Sequence, residues 1–344
     1  MAYFVGMDVS KKSTAVCVMD ADGAVVARAE VETTPLALVA FLRGRGWRYR
    51  RIGMEAGDMA SWLYAGLIKA KLPVLQIDPR HAHSVLSAQR HKTDRNDAQG
   101  IAELMRVGAY KGVHTRSRES QDQRALLVAR RTLMVKRVDL DTVIRALLRS
   151  LGLKLPRYIN QSFAARVRAL GESSHARWIA VEPLLLARDA IVEQIKVLER
   201  QINTAAQADP VCRRLMTVPG VGKQTALAFR SSVDDPRRFV RSRSVAVHFG
   251  LTPRVRQSGE TVRKGRISKW GDGMVRSLLF MAASHIRASE ESALHRWSAS
   301  LRKRMRPGKV VVAVARKIAV ILHRMWLDGT DFNATPGAHT TAAE

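Results

Sequence analysis

Short apolar runs, broken by tight-turn signals, constrain the first eighty residues more than anything else in the chain. Tyr3 to Val9 is apolar and has the length of a buried strand. Ser10-Lys11-Lys12 turns the chain, and Thr14 to Met19 reads as a second strand. Asp20-Ala21-Asp22-Gly23 is a strong turn signal, after which Ala24 to Val31 alternates as a third strand. Pro35 then opens an apolar helix over Leu36 to Leu42. Arg51 to Glu55 reads as a strand, Ala60 to Lys69 as a helix, and Val74 to Ile77 as a strand stopped by Asp78-Pro79.

Three strands in hairpin order, then strands alternating with helices, is the order of an RNase H-like sheet. On that sheet two acids stand out. Asp8 ends the first strand in Gly6-Met7-Asp8-Val9-Ser10, and Glu55 ends the fourth in Gly53-Met54-Glu55. An acid in a buried strand is costly unless it is paired or binds a cation. Asp94 and Asp97 follow in Lys92-Thr93-Asp94-Arg95-Asn96-Asp97-Ala98, at the start of a helical stretch through Met105. Three apart, they share a helix face, and acids in a first turn suit the helix dipole. Alone, Asp8 reads equally as a turn acid, and Asp94 and Asp97 as a capped, solvated helix start. Together, two strands and one helix could hold two Mg²⁺ ions about 4 Å apart, the arrangement used for phosphoryl transfer.

The middle of the chain differs. From Glu119 to Gln207 glycine is scarce and Leu, Arg, Ala and Val dominate. Leu126, Leu133, Leu140 and Leu147 are seven apart; Leu184, Ile191 and Leu198 repeat likewise, with Ile195 and Ile202 between and Arg188 interrupting. These seams predict two long antiparallel helices around a loop near Gly152 to Ser174. They fit either a bundle within one chain or a dimerising coiled coil.

Past Asp209 the chain is mostly helical. Leu215-Met216-Thr217-Val218-Pro219-Gly220-Val221-Gly222-Lys223-Gln224-Thr225-Ala226 fits a helix-hairpin-helix, whose second helix points its first N–H groups at a nucleic-acid phosphate. Pro219, Gly220, Gly222 and Lys223 would make that contact; a plain interhelical turn is the simpler reading. The glycine spacing excludes a P-loop. A Gly- and Arg-rich segment, Gly250 to Gly273, reads as a loop. Within it Ser258 is flanked by Arg254, Arg256 and Arg263, with Lys264, Arg266 and Lys269 following. Arginines there could bind a scissile phosphate and stabilise transition-state charge, and a serine could attack it. By chemistry alone Ser268 is an equal candidate, and either serine could be a turn former. The segment after Asp328 is small and polar and reads as a disordered tail over 329–344.

Charge narrows the partner. Lys and Arg number 58 against 30 Asp and Glu, a net charge of +28 spread along the chain. Such a surface calls for a polyanion, nucleic acid or an anionic membrane. No run of 18 uncharged apolar residues exists; the best candidate, Val310 to Trp326, carries Arg316, Lys317, His323 and Arg324. The N-terminal residues do not resemble a signal peptide, and Cys17 and Cys212 are too few for a disulfide framework, so a cytoplasmic, nucleoid-associated location is expected. His81, His83 and His91 have no metal-ligand spacing and read as surface or phosphate contacts.

These residues, in this order, resemble the DEDD insertion-sequence transposases, relatives of the pilin-gene inverting recombinases and understood as bridge-RNA-guided recombinases. The resemblance runs through Gly6 to Lys11, Met54-Glu55-Ala56, Lys92 to Ala98 with Ala102-Glu103-Leu104, Val218 to Gly222, Phe249 to Pro253, Ser258-Gly259 and Gly265 to Lys269. It implies a RuvC-like domain over 1–115 with the tetrad Asp8, Glu55, Asp94 and Asp97, a helical coiled-coil region over 116–207, and a transposase domain over 208–328. It implies that the serine nucleophile is Ser258; Ser268 falls where relatives can carry threonine, which argues against it. It further implies a phosphoserine–DNA intermediate, Mg²⁺, donor and target DNA, a noncoding bridge RNA, and homodimers assembling to a tetramer in a bacterial or archaeal cell. Two other readings stay open on the residues alone: a metal-dependent DNA junction nuclease without a covalent intermediate, and a noncatalytic nucleic-acid-binding protein.

Overall fold

The computed structural model describes residues 1–87, 93–156, 162–171, 175–286 and 293–333, with the side chains of 171, 175–177 and Lys264 excepted. His91 and Lys92 lie outside the described residues, as does the tail beyond 333. The chain divides into two compact units, Met1–Arg116 and Ser117–Glu344.

The first unit is a five-stranded sheet between helices. Its strands are β1 (Tyr3–Val9), β2 (Ser13–Met19), β3 (Val25–Glu32), β4 (Tyr49–Glu55) and β5 (Val74–Ile77), in the order β3-β2-β1-β4-β5. β1 runs antiparallel to β2 and parallel to β4; β2–β3 is antiparallel and β4–β5 parallel. This is the RNase H-like order expected from the turn signals. The helices are α1 (Pro35–Arg43), α2 (Ala60–Lys69), α3 (Pro79–Leu86) and α4 (Asp94–Val107). Alternation along the strands splits the core. Val5, Met7, Val16, Val18, Ile52 and Met54 face Leu38 and Leu42 of α1 and Leu63 and Leu67 of α2. On the other face Phe4, Cys17 and Met19 meet Ala98, Ile101, Ala102 and Met105 of α4. Thr34 starts α1 by accepting the Ala37 amide at 3.2 Å, with Pro35 in the first turn.

The second unit opens with α5 (Arg118–Ser150), followed by α6 (Phe163–Gly171) and α7 (His175–Ala208). The long helices lie antiparallel: Arg130 pairs with Glu199, Arg188 with Asp141, and Ile144 and Leu148 pack on Val181 and Leu185. Arg188, which interrupts the predicted seam, donates to Asp141 at 2.6 Å and lies 4.7 Å over the Phe163 ring, so the break is filled by a cross-helix pair. The remaining elements are α8 (Pro210–Leu215), α9 (Lys223–Val233), α10 (Arg243–His248), β6 (Pro253–Ser258), β7 (Thr261–Ile267), α11 (Gly273–His285), α12 (Ala293–Arg302) and α13 (Pro307–Asp328). Their core holds Phe229, Phe249, Val245, Leu279, Ile318 and Leu322. α13 contains the apolar Val310 to Trp326 run and spends it in this core; among the described residues no helix is long and apolar enough to cross a membrane. After α13 the chain stays docked as far as Phe332, whose amide donates to Thr217 Oγ1 at 2.9 Å.

One expectation is corrected. The Gly- and Arg-rich segment is not an irregular loop: β6 and β7 form a two-stranded antiparallel ribbon. Arg254, Val255, Arg256, Gln257 and then Val262, Arg263 alternate as a strand pair does. Ser258 opposes Thr261 across a two-residue turn, Gly259-Glu260, and Gly259 adopts the left-handed φ of +56° that such a turn demands. Reading Gly and Pro as loop formers hid this period of two.

Candidate active site

The carboxylates are ordered by register. β1 and β4 are parallel, with Gly6 opposite Gly53 and Met7 opposite Met54, so Asp8 and Glu55 follow on adjacent strand ends. Neighbouring strands lie about 4.8 Å apart. Side chains alternate, so Asp8 and Glu55 share the sheet face of Gly6 and Gly53, the face covered by α4. Both acids are half-buried.

Glycine sets how close α4 comes. A Cβ at Gly6 would fall at 2.1 Å from the Ala98 carbonyl oxygen and 2.3 Å from the Ala102 nitrogen. One at Gly53 would fall 2.7 Å from the Met105 side chain. The helix backbone therefore lies directly on β1. Its N-terminal end points toward the strand end that carries Asp8: Thr93, Asp94 and Arg95 border one hollow with Ala15, the residue opposite Asp8 on β2. Thr93 caps α4, accepting the Asn96 amide at 3.2 Å. Asp94 and Asp97 occupy the first turn, Asp94 exposed and Asp97 half-buried.

The donor set is of the kind a hard divalent cation takes: every candidate ligand is a carboxylate oxygen, from Asp8, Glu55, Asp94 and Asp97. Among the described residues no three His, Cys, Asp or Glu side chains already enclose a metal position. The Cys17 thiol borders the same hollow. Burial pushes its pKa up, with Arg28 pulling the other way, so it remains a buried thiol like Cys212, which burial pushes up to about 12. His81 and His83 sit on α3, away from any such cluster among the described residues.

The remaining predicted residues belong to the second unit. Ser258 is exposed at the tip of the β6–β7 ribbon. Arg256 stands opposite Arg263, and Arg254, Arg256, Arg263, Arg266 and Lys269 line one hollow. Lys264 is part of β7, its side chain lying outside the described residues. Ser268, the alternative serine, is half-buried at the ribbon's base, where its amide donates to the Thr252 carbonyl at 2.8 Å. Pro219, Gly220 and Gly222 form the turn between α8 and α9, and Lys223 begins α9. Gly220 has φ +80°, and a Cβ there would sit 2.5 Å from the Ala282 carbonyl oxygen. Gly222 precedes α9 without a side-chain cap, which leaves the helix's first N–H groups without that partner.

Sequence reading missed what holds the ribbon. Arg276 Nη1 donates to the carbonyls of Phe249 at 2.9 Å and Trp270 at 3.1 Å, joining both ends of the ribbon's base. Asp272 caps α11 through the amides of Met274 and Val275, accepts the Ser232 hydroxyl at 3.0 Å and pairs with Arg124 of α5. Burial alone would raise its pKa. The Arg124 charge, the Val275 amide and the Ser232 hydroxyl outweigh that and hold the carboxyl below its ordinary value. The Gly271-Asp272-Gly273 spacing signals a helix cap, but nothing local in the sequence names Arg124 as its partner.

Comparison with known proteins gives the chain its relatives. A DEDD-type family model described as transposase matches residues 5–152, and one described as transposase of the IS116/IS110/IS902 family matches residues 212–297. The transposase for insertion sequence element IS1111A of Coxiella burnetii is 31% identical over 331 residues, covering 92% of this chain and 88% of that protein. A probable family 20 transposase of Pseudomonas aeruginosa is 30% identical, over 79% of this chain and 82% of its own. The pilin gene-inverting protein of Moraxella bovis is 27% identical over 39% of this chain and 42% of that protein. Among solved structures, Thermus thermophilus RuvC in complex with a Holliday junction substrate aligns to 33% of this chain and 100% of its own, at 14% identity and a TM-score of 0.25. By these matches across both units, the chain belongs to the IS110/IS116/IS902 family of DEDD transposases, enzymes that cut and rejoin DNA.

Proposed function

We propose that this transposase breaks DNA by serine attack assisted by a carboxylate tetrad. The observation that carries the reading is the parallel register that sets Asp8 beside Glu55 under the glycine-lined approach of α4, with Asp94 and Asp97 in that helix's first turn. Asp8, Glu55, Asp94 and Asp97 would hold Mg²⁺, which when bound supplies Lewis-acid stabilisation to phosphate oxygens. Arg254, Arg256, Arg263, Lys264, Arg266 and Lys269 bind the phosphate that Ser258 attacks. The Ser258 Oγ loses its proton and bonds to phosphorus as one P–O bond to a nucleoside oxygen breaks. That oxygen takes up a proton and leaves as a hydroxyl. A DNA hydroxyl attacking the phosphoserine then restores a phosphodiester and returns the serine.

The remainder of the reading concerns assembly. Pro219, Gly220, Gly222 and Lys223 act as a helix-hairpin-helix contact to a backbone phosphate, supported by the uncapped start of α9. The exposed Val128, Val135 and Val138 of α5 and Leu186 of α7 favour a second copy along the helical arm, consistent with homodimers assembling to a tetramer. A noncoding bridge RNA selecting donor and target DNA is carried over from the family resemblance and agrees with the +28 charge. Incubating the protein with Mg²⁺, element-end DNA and the flanking noncoding RNA, then denaturing, tests the chemistry. A protein-linked DNA band lost in Ser258→Ala and reduced in Asp8→Asn is expected. Cleaved DNA without an adduct would transfer the chemistry to the carboxylates alone, as in a junction nuclease.

A further inference from the structure

Arg43 to Arg51 carries five arginines in nine residues, and no acid occurs between Glu32 and Glu55. Three of the five have structural work. Arg43 donates to the Ala70 carbonyl at 2.8 Å, closing the end of α2. Arg45 lies over the rings of Phe41, at 4.8 Å, and Trp47, at 5.2 Å. Arg51 donates to the Met105 carbonyl at 2.8 Å and lies 5.8 Å over Tyr110. Arg48 and Arg50 are different: both are exposed, and neither has a hydrogen-bonded or ion-paired side-chain partner among the described residues.

The backbone presents these two. Tyr3 opposes Tyr49 while Phe4 opposes Arg51, so Arg50 is the extra residue of a β-bulge. Tyr49 can then pack on the α1–α2 side and Arg51 reach α4, with Arg50 turned to solvent between them. Arg48 is braced on both sides: Trp47 stacks on Tyr3 at 4.7 Å, and the Tyr49 hydroxyl donates to the Leu42 carbonyl at 2.9 Å. Arg48, Tyr49 and Arg50 border a hollow at the start of β1 and β4. β5 runs parallel to β4 with Val74 opposite Ile52, and Arg43 donates to Ala70, so exposed Lys69 and Lys71, just before β5, lie at the same end of the sheet. The acids at this end of the sheet, Asp20 and Asp22, lie in the β2–β3 turn beside Arg106. Cations at helix C-termini complement the dipole, which accounts for Arg43 and Lys69 but not for Arg48 and Arg50.

We propose that Arg48 and Arg50, with Lys69 and Lys71 beside them, form a second phosphodiester-binding surface at the end of the sheet opposite Asp8 and Glu55. Five residue steps along the strand separate Arg50 from Glu55, roughly 16 Å, so a strand held here is anchored away from the carboxylates. The surface is independent of the carboxylate chemistry and of Ser258.

Phenylglyoxal footprinting of the full chain tests it without requiring activity. The protein is treated alone, then with saturating 20-nucleotide single-stranded RNA, single-stranded DNA or duplex DNA, and arginine adducts are mapped by mass spectrometry. Protection of Arg48 and Arg50 by at least one of the three is expected, and the protecting strand names the source of the phosphates. In a salt titration with that strand, Arg48→Ala/Arg50→Ala should lower the slope of log K against log salt by about 1.4 for a single strand or 1.8 for a duplex. Arg48→Lys/Arg50→Lys should retain it. Unchanged reactivity with all three strands, or an unchanged slope in a double variant that keeps the native circular dichroism and melting temperature, would overturn the proposal. Neither readout depends on Asp8 or Ser258, so loss of cleavage chemistry leaves this test intact.

Discussion

At Gly6 a single hydrogen in place of a methyl group decides how near α4 lies to the sheet. Gly6→Ala drives a methyl into the Ala98 carbonyl, a backbone atom that cannot swing aside. Overpacking of this kind costs about 1–3 kcal/mol, and chemical denaturation should register it. On the proposed tetrad chemistry, the same variant should lose cleavage at limiting Mg²⁺ more than at saturating Mg²⁺, because Asp94 and Asp97 move with the helix. Ser258 makes the opposite case. It is exposed at a ribbon tip, so Ser258→Ala should change stability by no more than about 0.5 kcal/mol while abolishing the covalent adduct. Asp272 gives a pH dependence with a definite sign. Its folded pKa is depressed, so its stabilisation is fully present above the unfolded value of about 3.9 and is lost as pH falls through the folded value. Urea midpoints measured on either side of that range should converge for Asp272→Asn and the wild type at the acid end. At neutral pH the variant should be weaker by on the order of 3 kcal/mol, since Arg124 loses its charged partner.

Among the elements, legibility followed the range of the signal. β1, β2 and β5 were readable because apolar runs bounded by turn residues are local, and α4 because Thr93 and its two acids announce a helix start. The β6–β7 ribbon is hidden from such local signals, its alternation being diluted by Pro253, Gly259 and Gly265. The partners that clamp its base, Arg124 and Arg276, leave no local trace. In the long helices, Arg188 looked like a flaw in a seam, and its Asp141 partner lies on the other helix. Arg188→Ala strips that half-buried acid of its countercharge and uncovers Phe163, and should lower the melting temperature. Arg188→Ala/Asp141→Ala should recover much of the loss, which a double-mutant cycle would read as coupling.

For the molecule as a whole, the separate cores of Met1–Arg116 and Ser117–Glu344 carry the consequence. Gly6→Ala should shift a calorimetric transition of the first unit and leave that of the second unchanged. The proposed chemistry is likewise shared out, with the carboxylates on one unit and Ser258 on the other, about 160 residues apart in sequence. If a complete site draws its halves from two protomers, mixing Asp8→Asn with Ser258→Ala protein should restore part of the adduct. Equal inactivity at every mixing ratio would argue for a site completed within one chain.

The ribbon that carries Ser258 also behaves as a ruler with a two-step scale. Its turn is as short as a hairpin allows, and its sides alternate, so reach and facing are coupled. Lengthening β6 and β7 by one residue each would carry the serine to the opposite side of the ribbon from its arginines. Lengthening both by two would restore the side and extend the reach by about 7 Å. Natural or engineered variation in where this hydroxyl is delivered should therefore come in even increments.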